Sequence, residues 1–145
     1  MRVIFIFLAI FFTGCASTTV SDAELMAMGS EQYSGAYVVT RVASYGALSD
    51  VLSISLGELT GRSSRAEPML RDLENAKQNG LTNVVIGGNN PSLTARAVRD
   101  ALALAEPAAL QGVTIMVVAD EKYHDLIAPE AEQAGIQLVL KPMEN

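Results

Sequence analysis

The order of apolar and polar positions divides the chain into three textures. Residues 3–12 (Val-Ile-Phe-Ile-Phe-Leu-Ala-Ile-Phe-Phe) are an unbroken apolar run behind Arg2 and ahead of Thr13-Gly14-Cys15. Residues 16–35 turn small and polar, the composition of a flexible tether, interrupted at most by a short helix around Asp22 to Met28. From Ala36 onward apolar residues return in short blocks whose spacing alternates between that of strands and that of helices. Tyr37 to Val42 is rich in β-branched residues and predicts a strand. Ser44 to Leu59 fits two readings: Leu48, Val51, Leu52 and Leu59 line one helical face, whereas Val51 to Leu56 suits a short strand. Helix is preferred.

The second half has clearer punctuation. Ser64-Arg-Ala-Glu67 has capping-box spacing, with Leu70, Leu73 and Ala76 at helical intervals up to Gly80. Asn83 to Ile86 predicts a short buried strand closed by Gly87-Gly88. Asn90 then suits an N-cap, with Pro91 at the first helical position, where a missing N–H costs nothing. That helix turns Leu93, Ala97, Val98, Ala101, Leu102 and Ala105 inward and stops before Pro107. Val113 to Val118 predicts another buried strand, followed by Asp120 as the cap of a helix that Pro129 must kink or split. Gly135 ends it, and Ile136 to Leu140 is the last strand. Strands and helices alternating over short connections imply βαβ units around a parallel sheet. The expected fold is a small three-layer α/β sandwich with a mostly parallel sheet of about four strands, a single domain over residues 36–145.

The first fifteen residues have the parts of a secretory signal: one positive charge, ten apolar residues, then small residues. The run is too short for the roughly 20 residues a membrane-spanning helix needs. Cys15 is the only cysteine, and an unpaired cysteine in a secreted chain calls for an explanation. The segment Phe12-Thr13-Gly14-Cys15 resembles the lipobox of bacterial lipoproteins, with Phe12 standing where that family prefers leucine. The resemblance implies that residues 1–14 are removed and that Cys15 carries acyl chains. It also implies that Ala16-Ser17 sends the protein to the outer membrane, facing the periplasm. Two acyl chains suffice for stable membrane residence where one does not.

Removal of residues 1–14 leaves 131 residues, enough for one domain with a real core. The formal charge of −6 becomes −7 without Arg2, so the domain repels nucleic acid and anionic headgroups; anchoring falls to the acyl group. With its single cysteine lipidated the domain has no disulfide, and its core alone must hold it.

Candidate chemistry is sparse. Gly87, Gly88, Asn89, Asn90 and Ser92 lie where a strand's carboxyl end meets a helix start, the usual ligand position of an open α/β sheet, and Asp120 should end the next strand on the same edge. The same residues also suit a turn and caps, and they match neither the dinucleotide fingerprint nor the P-loop. His124 is the only histidine and is expected on the surface; no His/Cys cluster suggests a metal, and no cofactor is implied. Arg62, Arg65 and Arg71 are the one basic concentration, suited to an acidic protein partner or to a solvated loop and helix start. The expectation is a lipid-anchored envelope protein acting as a non-catalytic binding or assembly module of a cell-surface or secretion machine. The alternative is a ligand-binding or enzymatic domain built on the Gly87 to Ser92 loop and Asp120.

Overall fold

The computed structural model describes residues 20–44, 50, 54–55 and 61–143. Cys15 and the whole expected signal segment lie outside the described residues, as does most of 44–59, where Asp50, Ile54 and Ser55 are helical. The elements are α1 (Asp22–Gln32), β1 (Val38–Val42), α2 (Ala66–Gln78), β2 (Asn83–Gly88), α3 (Pro91–Leu104), β3 (Thr114–Val118), a 3-10 turn (Glu121–Tyr123), α4 (His124–Ala134) and β4 (Gln137–Lys141). The four strands pair in parallel in the order β1-β2-β3-β4. The expected α/β sandwich with a parallel four-stranded sheet is therefore the observed one.

That strand order has a consequence for the layers. Each crossover steps one strand in the same direction, and crossovers of one hand then place their helices on one face. α2 packs on α3 and α3 on α4, and the core beneath them gathers Val84 and Ile86 of β2 with Ile115 and Val117 of β3. The alternate residues Val85, Met116 and Val118 point the other way, and all three are fully buried. Only an element outside the βαβ series can cover them, and that element is α1.

The expected tether is therefore corrected from Val20 onward: this segment belongs to the domain. Val20 and Leu25 are buried against Val85, Met116 and Val118, with Met28, Tyr33, Tyr37 and Val139 at the margin. α1 begins with a complete capping box, in which Ser21 Oγ accepts from the Glu24 amide (3.2 Å) and Glu24 accepts from the Ser21 amide (2.7 Å). These bonds from Ser21 hold the Glu24 carboxyl below its usual range. Helix α1 ends four residues later than expected, at Gln32. Gly29 is buried because the Tyr37 ring lies where a β-carbon would project, and the Tyr37 hydroxyl donates to the Met26 carbonyl at 2.7 Å. Lys141 of β4 reaches Glu31 at 2.6 Å and lowers the Glu31 pKa, so α1 is tied to both edge strands.

The spacing Ser64 to Glu67 does not form the expected box. α2 starts at Ala66 with Arg65 as N-cap and no side-chain cap bond, while Ser63 accepts from the Arg65 and Ala66 amides. The chain is pinned one residue earlier because the Ser63 amide donates to buried Asp100 of α3 at 2.6 Å. The inward set of α3 is as expected, Leu93, Ala97, Val98, Ala101, Leu102 and Ala105 all being buried. α4 runs through Pro129 without a break; the change of helical type falls earlier, at His124. Gly135 caps α4 at φ 80°, a left-handed conformation in which Ile136 closes back on the Ala131 carbonyl.

Tyr33, between α1 and β1, offers a titration test of this packing. Burial pushes its hydroxyl up to about 12, opposed by a backbone hydrogen bond at Met116. The neutral phenol is the form the fold favours. Its contribution is fully present below the unfolded value near 10 and is lost as pH rises toward 12, because the unfolded chain releases its proton first. In an absorbance titration of the tyrosines, the Tyr33→Phe variant should lose a component that ionises at about 12. If that component persists, α1 does not bury Tyr33.

Candidate functional site

The residues read as a ligand loop stand at the carboxyl end of the sheet, but they are engaged by the protein itself. β2 continues through Gly87 and Gly88, pairing with Arg41 and Val42 of β1, so the two glycines form no turn and neither has a positive φ. Close approach accounts for them instead. A β-carbon on Gly87 would collide with Leu25 of α1 and press on Val118 at 3.3 Å. One on Gly88 would strike the Val42 carbonyl and lie 3.1 Å from Thr94 Oγ1 of α3. The two sides of the sheet thus use one glycine each, Gly87 for α1 and Gly88 for α3.

The neighbouring polar side chains make internal bonds. Asn89 accepts from Arg41 at 3.0 Å, and Arg41 also meets Asp22 at 2.8 Å, which joins the start of α1 to the ends of β1 and β2. Asn90 caps α3 as expected, accepting from the Leu93 amide at 3.1 Å, with Pro91 next. Its amide nitrogen donates to Asp50 at 3.1 Å. Ser92 is half-buried in the first turn of α3. Asp120 is not the expected side-chain cap; its exposed carboxylate pairs with Lys122 at 3.3 Å, a hydrogen bond that raises the Lys122 pKa. His124 is exposed at the first position of α4, 3.3 Å from the Asp125 carboxylate.

Two buried carboxylates escaped the sequence reading. Asp50 is 2% exposed and accepts from Ser44 Oγ as well as from Asn90. Asp100 is 5% exposed, held by Arg99 Nε at 2.7 Å and by the Ser63 amide. A buried carboxylate is tolerated when donors surround it, and both tie the segment after β1 onto α3. The only available signal was position: each is an acidic residue within an otherwise apolar helical pattern. Among the described residues no three His, Cys, Asp or Glu side chains converge as metal ligands.

The arginines separate. Arg62 pairs with Glu67 at 3.5 Å before α2, Arg65 is its half-buried N-cap, and Arg71 is exposed further along the helix. Arg65 borders a groove along the outer side of β1. A hollow of about 220 Å³ lined by residues including Thr40, Arg41, Arg65 and Asp72 continues into one of about 440 Å³ between Val38–Arg41 and the side chains of Asp72, Asn75 and Asn79. Among the described residues β1 pairs only with β2, so this groove runs beside an edge strand of the described sheet. No protein family, curated protein or solved structure matches this chain.

Proposed function

We propose that this chain is a lipid-anchored, non-catalytic module of the bacterial envelope that binds an extended segment of a partner protein along the β1–α2 groove. The observation carrying the non-catalytic part is the filling of the expected ligand cradle: Leu25 occupies the space above Gly87, and Asn89 and Asn90 are spent on Arg41 and on the α3 cap. A ligand at this loop would need that space. The partner part rests on β1 being an edge strand among the described residues, where strand addition would supply main-chain hydrogen bonds, and on Arg65 and Asp72 at its flank. Among the described residues Met26 is the one exposed large apolar side chain, which favours a backbone-mediated contact over a broad apolar one. Anchoring rests on the lipobox-like Phe12-Thr13-Gly14-Cys15. The outer membrane, facing the periplasm, is the location that Ala16-Ser17 suggests. Among the described residues no helix is long and apolar enough to cross a membrane.

The test has two arms in the producing bacterium. Cys15→Ser should abolish incorporation of labelled fatty acid and accumulate an unprocessed precursor; undiminished labelling would sink the anchor. A photo-crosslinker at Asn75 should trap the partner in the parent protein and much less of it when Arg65 is changed to glutamate. The ligand alternative wins if that crosslink is unaffected while folded Asn89→Ala abolishes the cellular phenotype.

A further inference from the structure

Val20, the first described residue, is already packed and lies very close in sequence to the expected anchor, and this sets which end of the domain meets the membrane. Val20 is 5% exposed and Ser21 already caps α1, so at most five residue steps separate the domain from Cys15. Fully extended, five residues span at most about 18 Å. A domain of this length has a radius of gyration of about 14 Å and a diameter of roughly 35 Å. The leash is therefore about half as long as the body it holds, whatever path residues 16–19 take.

Where the leash joins is also defined. Asp22 is bonded to Arg41 near the end of β1, and Arg41 to Asn89 just past β2; Leu25 lies over Gly87 and Val118 is part of the same cluster. The attachment is thus at the carboxyl end of the sheet. The helices of βαβ units run back against the strands, so α2, α3 and α4 also begin at this end. The turns at Asn79–Gly80 and Gln111–Gly112 lie at the other.

Resting on the lipoprotein reading above, we infer that the lipidated Cys15 holds the carboxyl end of the sheet toward the bilayer and leaves the amino end facing away from it, with the β1 groove on the flank. Charge is not the cause. Most of the cations at the membrane end are already paired, Arg41 with Asp22, Lys122 with Asp120, Arg62 with Glu67 and Lys141 with Glu31, so headgroups gain little from them. The orientation is imposed by leash length and is independent of salt.

The experiment uses the mature lipidated protein in phosphatidylcholine vesicles containing a headgroup spin-labelled lipid. A fluorophore is attached to a single introduced cysteine, Glu121→Cys at the carboxyl end or Asn79→Cys at the amino end, both exposed positions. Quenching should be several-fold stronger at the first. The ratio should be unchanged by added salt or by anionic lipid, and should collapse toward one when about 20 Gly/Ser residues are inserted between Thr19 and Val20. Equal quenching at the two positions in the native-length protein, or a ratio that survives the insertion, overturns the inference. Mass analysis of the Cys15 peptide separates the two levels: an unacylated Cys15 refutes the lipoprotein reading and the orientation with it, whereas acylation with equal quenching refutes the orientation alone.

Discussion

A chain beginning at Gly35 should fail to form a cooperatively folded domain, whereas one beginning at Thr19 should fold. The difference between them is α1 and its flanks. Without α1, the second face of the sheet is open, and Val85, Met116 and Val118, each fully buried in the intact protein, meet water. Burying one such side chain contributes about 1.5–3 kcal/mol, so three amount to about 5–9 kcal/mol, before the loss of Leu25 itself. A domain of this size has only about 5–15 kcal/mol in total. The βαβ half would keep its helices but lose fixed packing. The expected readings are retained far-UV dichroism, lost near-UV dichroism, binding of a hydrophobic dye and a broad urea transition. A Gly35 chain that unfolds as sharply, and at the same urea midpoint, as the longer one would show that α1 is an appendage.

Gly87→Ala should be strongly destabilising, and Leu25→Ala should relieve part of that effect when the two are combined. Leu25→Ala alone leaves a cavity between α1 and the sheet and should cost about 2–5 kcal/mol. Gly87→Ala alone drives a methyl group into the Leu25 side chain and toward Val118 at 3.3 Å, overpacking worth about 1–3 kcal/mol. In the double variant the added methyl occupies space that the shortened side chain has vacated. The combined loss should then fall clearly below the sum, a coupling that contacting residues show and independent ones do not. Urea midpoints of the four proteins measure it. Additive losses would mean that Leu25 does not sit on Gly87, and the space above this glycine would again be available to a ligand.

Much of the domain is legible in the sequence alone. α3 was fully legible: Asn90 and Pro91 mark its start, and a wide apolar stripe from Leu93 to Ala105 needs no partner to be recognised. The strands of β2 and β3 were legible as continuous apolar blocks, which is how a strand covered on both faces reads. α1 was harder. It buries only Leu25 and Gly29, one helical turn apart, and its remaining positions are polar or small, so its composition matches that of a linker. A signal did exist: Ser21 and Glu24 have the same spacing as Ser64 and Glu67. The first pair forms a capping box and the second does not, because Asp100, far along the chain, fixes the backbone at Ser63. Identical local patterns were separated by one long-range hydrogen bond.

The glycine pair shows the same division at the candidate site. Two consecutive glycines before Asn89-Asn90-Pro91 carry two local explanations, a turn and a ligand cradle. The actual reason is neither, since it lies in what approaches from above and below the sheet: Leu25, sixty-two residues earlier, and Thr94 with the Val42 carbonyl. By itself the sequence determined the alternation of strands and helices, their parallel association, the Asn90 N-cap of α3 and the Gly135 C-cap of α4, because each follows from the periodicity and termini of short segments. The tertiary structure alone decided that a polar-looking segment seals the second face, that Gly87 and Gly88 are packing residues, and that Asp50 and Asp100 are buried. Each of those depends on which distant side chain fills a given space, and no local pattern encodes that.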